Sequence, residues 1–175
     1  MSKVIFCDVD GVLNGDGITV ERSPGGFMGV SDELVLKLKE IVDRTGAEVV
    51  LSSDWRLSYL EGKPDNDYLY LAGKLNRIAG IAIAGHTKDI GWSRRGEEIA
   101  DYLADHPGIT SYLVLDDIKF PDFGHFRLRK HLILTDKNTG LTEEDVEKAV
   151  KILGEKGMKD GLGGVIQRRN SGDLQ

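Results

Sequence analysis

Apolar residues fall along this chain in two alternating rhythms. Short apolar-rich runs at residues 3–7, 47–51 and 111–115 have the length and branched content of strands buried on both faces. Between them, apolar positions recur every three to four residues. Leu34, Val35, Leu38, Ile41 and Val42 share one helical face; Tyr68, Leu71, Ala72, Leu75, Ile78 and Ala79 share another. Ser31 is placed to cap the first helix, with Asp32 and Glu33 favourable in its first turn and Gly46 as its stop. Gly80 closes the second. The pattern further predicts a short strand at 81–84, a helix capped by Ser93 and broken by Pro107 and Gly108, and a strand at 131–134. A last helix opens on a capping box between Thr142 and Asp145 and ends near Gly154.

Strand alternating with helix predicts an α/β fold, doubly wound about a mainly parallel sheet. A glycine-rich loop over 14–30 and a polar insert around 61–67 interrupt the alternation, and a glycine-rich polar tail over 161–175 is expected to fray. No internal repeat or heptad run stands out. At 175 residues the chain can bury one sizeable core, so one domain over 1–155 with a short extension over 156–175 is expected.

The formal charge of −6 argues against broad electrostatic adhesion to nucleic acid or anionic membrane, while leaving room for a local basic cleft. The first residues run straight into a strand without a signal-peptide pattern, and no apolar stretch is long enough to span a bilayer. The single cysteine, Cys7, cannot form an internal disulfide. A soluble, cytoplasmic protein with no membrane partner is expected. Cys7 adjoins Asp8, but no histidine dyad is readable beside it, so a catalytic thiol is disfavoured.

The chemistry-bearing residues stand at strand ends: Asp8 and Asp10 after the first, Ser52 after the second, Asp116 and Asp117 after a later one. In an open α/β sheet ligands bind at the carboxyl ends of the strands, so these groups should converge. Residues i and i+2 of an extended segment point to one side, which lets Asp8 and Asp10 address one centre, and Gly11 lets the backbone turn away behind them. Carboxylates so crowded repel each other unless a cation lies among them, and all-oxygen ligation suits Mg²⁺ bound together with a phosphate. A calcium EF-hand is excluded, since counting from Asp8 puts Val12 and Thr19 at ligand positions. Trp55 reads more readily as packing than as a stacking platform. Arg56 could reach a phosphate or pair with Asp54, and His86 and His125 could be either contacts or ordinary surface.

The run Val4-Ile5-Phe6-Cys7-Asp8-Val9-Asp10-Gly11-Val12-Leu13 resembles the first motif of the haloacid dehalogenase (HAD) superfamily. Residues 49–52 resemble its second motif and 113–117 its fourth. Leu51-Ser52-Ser53-Asp54-Trp55-Arg56, Arg95-Gly96-Glu97-Glu98-Ile99 and the segment 135–142 are closer to the small phosphatase domains of Swiss-army-knife RNA-repair proteins. The resemblance implies a HAD-like, Rossmann-like fold and a phosphatase working through an aspartyl-phosphate. Asp8 would be the nucleophile and Asp10 the acid/base. Mg²⁺ would be held by Asp8, the Val9 carbonyl and Asp116, with Asp117 in its inner or outer shell and Asp10 counted in the same acidic set. Gly11, Ser52 and a third-motif cation would bind phosphate; Arg95 fits that cation best, with Lys88 second and Arg94 also in range.

Members of the superfamily often carry a cap that selects small substrates. Here the inserts at 14–30 and 57–79 make at most a minimal cap, which leaves an open cleft. The leading expectation is removal of terminal phosphates from RNA or DNA, with a repair protein as an expected partner. Two alternatives stand beside it: a phosphatase of nucleotides or other small esters, with the glycine-rich loop as a lid, and a catalytically silent module that binds phosphate or a protein.

Overall fold

The computed structural model describes residues 2–154; the tail at 161–175 and the extension at 156–175 lie outside them. The elements are β1 (Ser2–Cys7), α1 (Asp32–Thr45), β2 (Glu48–Leu51), a 3₁₀ turn (Asp54–Arg56), α2 (Leu57–Leu60), α3 (Asn66–Ala79), β3 (Ile83–His86), α4 (Arg95–Asp105), β4 (Ile109–Asp116), β5 (Leu132–Leu134) and α5 (Glu143–Leu153), with two further 3₁₀ turns between β4 and β5. The five strands form one sheet in the order β3-β2-β1-β4-β5, every pairing parallel.

The period of two along each strand divides the core in two. Ile5 and Cys7 of β1, Val49 and Leu51 of β2, and Leu113 and Leu115 of β4 face a layer containing residues of α1, α3 and α5. Val4, Phe6, Val50 and Val114 face the opposite layer, with Ile99 of α4 and with Phe123 and Leu128 of the 3₁₀ turns. Both faces are therefore covered, as an all-parallel sheet requires.

α1 ends on Gly46, whose left-handed backbone returns its N–H to the Val42 carbonyl. The Thr142–Asp145 capping box forms with both reciprocal bonds. Three boundaries depart from the sequence reading. β3 begins two residues later than expected, because Gly80 turns left-handed and the Ile81 N–H bonds back to the Leu75 carbonyl, prolonging the helix end. α4 opens on Arg94, with Ser93 outside it at φ +68°. The second insert is smaller than 57–79: α3 is the crossover from β2 to β3 and buries Leu71 and Leu75 in the core. What remains there is the turn and short helix over 54–60 and the loop up to Asp65.

β1 leads to β2 on one side, whereas β4 lies on its other side. The carboxyl ends of β1 and β4 thus flank the point where strand order reverses, which is where α/β sheets open a ligand crevice.

Candidate active site

β1 ends at Cys7, and the Asp8 N–H continues the ladder to the Leu115 carbonyl at 2.9 Å. On the other side the Ser52 N–H reaches the Cys7 carbonyl, also at 2.9 Å. These bonds carry the strand geometry one residue past each end and set Asp8 beside Asp116. The carboxylate oxygens of Asp8, Asp116 and Asp117 come within 4.8 Å of one another.

Three acids this close, two of them buried, are costly when ionised. Burial raises the Asp8 pKa to about 6, against the lowering effect of Arg95. Burial followed by the charge of Asp8 raises Asp116 to about 8, and burial also raises Asp117. Arg95, on the first turn of α4, offsets part of this. Its Nη1 lies 3.8 Å from Asp8 Oδ1 and 3.6 Å from Asp116 Oδ2, yet is buried without a hydrogen bond among the described residues. Ser53 lines the same cleft of about 530 Å³, and its buried hydroxyl bears on Asp8, where its hydrogen bond favours the ionised carboxylate.

Crowded carboxylates beside a guanidinium nitrogen without a hydrogen bond and a buried hydroxyl fit a divalent cation on the acids and an oxyanion on the donors. Raised carboxylate values mean that the cation-free fold holds protons the unfolded chain has released. Its stability therefore falls as pH rises from the ordinary carboxylate range of about 4 through these raised values. A bound divalent cation must displace those protons. Adding Mg²⁺ is expected to raise the melting temperature more at about pH 8 than at about pH 5, which differential scanning fluorimetry across that range measures.

The remaining expected site residues divide. Ser52 Oγ faces Thr87 Oγ1 at 3.5 Å and does not line the cleft, which Ser53 does. Lys88 is exposed and pairs with Asp105 at 3.0 Å, and Arg94 pairs with Glu97, so of the three basic candidates Arg95 alone reaches the acids. The Val9 carbonyl is consumed inside the turn, accepting from the Val12 and Leu13 N–H groups at 3.1 and 2.8 Å. Among the described residues no hydrogen bond reaches the Asp10 carbonyl. The Asp10 side chain stands outside the carboxylate cluster, and the Gly11 N–H is taken by Asn14 Oδ1 at 2.9 Å, so it is not free for phosphate. Gly11 instead serves by having no side chain: its φ is +70°, and a Cβ there would fall on the Asp117 carboxyl group. Cys7 is buried and its thiol is pushed up by that burial, which suits packing and not nucleophilic chemistry.

Several contributors were not readable from spacing. Asn14 Nδ2 donates to Asp10 Oδ1 at 2.9 Å and Trp55 Nε1 to Asp10 Oδ2 at 3.0 Å. Thr135 donates to the Gly11 carbonyl at 2.7 Å, tying the loop after β5 to the first turn. Arg56 turns inward: it is buried and donates to the carbonyls of Ser53, Thr87 and Lys88 and to Glu98 Oε2 at 2.7 Å, whereas Asp54 lies 3.9 Å away. His86 stacks on Tyr59 with ring centroids 3.9 Å apart and meets the Tyr68 hydroxyl, and His125 is exposed.

Among the described residues no helix is long and apolar enough to cross a membrane. No curated protein and no solved structure matches the chain significantly. A family model described as the HAD domain in Swiss Army Knife RNA repair proteins matches residues 4–146. That span runs from β1 into α5 and takes in every residue of the acidic cleft, so the chain belongs to the family of HAD domains found in Swiss Army Knife RNA repair proteins.

Proposed function

We propose that this chain is a Mg²⁺-dependent phosphomonoesterase that works through an aspartyl-phosphate on Asp8. The observation that supports this most directly is the cluster of Asp8, Asp116 and Asp117 beside the buried Arg95 Nη1, which pairs with two of the acids at 3.6–3.8 Å without a hydrogen bond among the described residues, and beside the buried Ser53 hydroxyl. The three carboxylates and the Asp10 carbonyl would hold the cation, which when bound shields the charge between an anionic nucleophile and an anionic ester.

The Val9 N–H donates to Asp8 Oδ1 at 2.8 Å and orients the nucleophile. A carboxylate oxygen of Asp8 attacks phosphorus, and the ester P–O bond breaks with its electron pair passing to the leaving oxygen. Asp10 supplies that oxygen with a proton. In the second step Asp10 takes a proton from water as the water oxygen attacks phosphorus. The bond from phosphorus to Asp8 breaks, freeing phosphate and regenerating the carboxylate. Arg95 and Ser53 donate to the phosphoryl oxygens throughout. Ser53→Ala is expected to lower kcat/KM by about 10-fold or more, as for one lost oxyanion donor, with Ser52→Ala much milder; steady-state kinetics on p-nitrophenyl phosphate compares the two.

The RNA-repair context of the family supports a terminal phosphate of RNA or DNA as the substrate, delivered with or without a repair partner. A second reading, a small phosphate ester, is favoured by the rim. The outer cavity of about 390 Å³ beside Asp10 is lined by Asp54, Asp65 and Asp67 and by no lysine or arginine, which disfavours a neighbouring phosphodiester. Mg²⁺-dependent phosphate release from 3′- and 5′-phosphorylated oligonucleotides and from the matching mononucleotides, with an EDTA control, tests both. End processing requires the oligonucleotides to turn over at least as fast as the mononucleotides. The reverse order supports the small ester, and release that persists in EDTA or in Asp8→Asn contradicts the mechanism.

A further inference from the structure

Asp10 is exposed on a turn, where a carboxylate would ordinarily sample several rotamers, yet both of its oxygens are held. Asn14 grips Oδ1 at 2.9 Å, and its own orientation is locked because its Oδ1 accepts the Gly11 N–H at 2.9 Å. Asn14 is buried, so this half of the clamp is rigid. The other half is the Trp55 indole, whose Nε1 donates to Oδ2 at 3.0 Å. Trp55 is half-buried, follows the second-motif strand and packs at a tilt on Tyr70, 6.4 Å between centroids. Both Asp10 and Trp55 line the outer cavity, as do Phe27 and Met28 of the glycine-rich loop. Asp10 also lines the cleft that holds Asp8.

We propose that Trp55 is a positioning residue for proton transfer, holding the Asp10 carboxylate between the nucleophile cleft and the outer cavity, so that the leaving group's oxygen meets Oδ2 as it departs. The inference rests on the phosphomonoesterase reading. Asn14 presents the opposite oxygen to the turn and leaves Oδ2 as the one that faces the substrate side. The indole N–H sets where Oδ2 lies, and the ring forms the wall against which the leaving group departs. Holding a catalytic carboxylate by an indole on the substrate side ties the acid's geometry to the group it must protonate.

The test uses two esters, phenyl phosphate, whose leaving oxygen needs a proton, and p-nitrophenyl phosphate, whose leaving group departs well without one. Trp55→Phe keeps the ring and removes the donor. Wild-type release that requires Mg²⁺ and Asp8 establishes the underlying reading first; without it that reading fails, independently of Trp55. Given that release, Trp55→Phe is expected to lower kcat/KM for phenyl phosphate by about 10-fold, the worth of one hydrogen bond. For p-nitrophenyl phosphate kcat/KM should stay within about twofold on the same reasoning, which also reports an intact fold. In an Asp10→Asn background, read as the rate of the single first turnover, Trp55→Phe should cost nothing further on either ester. Equal losses on both esters, a full additional loss in the Asp10→Asn background, or no loss on phenyl phosphate would each overturn the assignment.

Discussion

Asp8→Asn is expected to lower phosphate release by at least about 10³-fold while leaving the fold as stable as the parent or more so. The carboxamide retains the shape of the side chain and an oxygen to accept the Val9 N–H, so the turn keeps its bond. What it loses is the nucleophile and one negative charge. That charge is the second-largest cause raising Asp116, after burial, and its removal relieves a repulsion that exists only when the chain is folded. A phosphate-release assay paired with thermal unfolding in the absence of divalent cation reads both effects. The combination separates a site built against its own stability from ordinary damage, which would lower activity and stability together. It also weighs against the silent binding module, for which Asp8→Asn would change no activity.

Arg56→Ala is expected to carry the largest stability cost, about 3–5 kcal/mol, as for removal of one member of a buried pair. In a chain of this size that lowers the melting temperature by roughly 6–20 °C. The guanidinium joins three segments: it donates to the carbonyl of Ser53 after β2, to those of Thr87 and Lys88 after β3, and to Glu98 on α4. Its loss leaves those carbonyls short of a partner and Glu98, itself buried, uncompensated except for the Ile90 N–H at 3.2 Å and Arg95 at 3.8 Å. Adding Glu98→Ala should cost less than the sum of the two single changes, because the second removes the charge stranded by the first. Arg56→Lys should recover little, since one ammonium cannot reproduce a planar fork spread over four acceptors. Activity is expected to fall with stability here, because Ser53 and Arg95 stand on the segments that Arg56 joins.

The positions of Asp8 and Asp116 were legible in the sequence because strand periodicity is a strong signal and both residues follow directly on buried runs. The convergence of their strands then follows from parallel α/β topology. What was lost lies within one or two residues of those ends. Ser52 was expected to face the phosphate, but its backbone still belongs to the ladder, and it is Ser53 that lines the cleft. The Val9 carbonyl was expected on the metal, yet the tight turn opened by Gly11 spends it on Val12 and Leu13. Which carbonyl a turn spends depends on its dihedral angles, and the residue names leave that open.

The basic candidates show a different limit. Lys88, Arg94 and Arg95 lie within eight residues, and only the start of α4 determines that Arg95 points inward while the other two find partners at the surface. Asn14 and Trp55 lie four and forty-five residues from Asp10, in a glycine-rich loop and just after a strand, with no periodicity to connect them. For Arg56 the sequence leaves open a phosphate contact or a pair with Asp54; its inward turn depends on Glu98 of α4, forty-two residues away.

The central claim is a covalent phosphoryl group on Asp8, and trapping it is the most direct test. Asp10→Asn should still accept the group from p-nitrophenyl phosphate in the presence of Mg²⁺, because that leaving group departs without an acid, but should lack the base that discharges it. The expected result is a burst of p-nitrophenolate equal to the enzyme present. Acid-quenched protein should be heavier by one phosphoryl group, which is labile to hydroxylamine and maps by mass spectrometry to the peptide containing Asp8. Product formation with no protein-bound phosphate, or phosphate mapped to another residue, would contradict it.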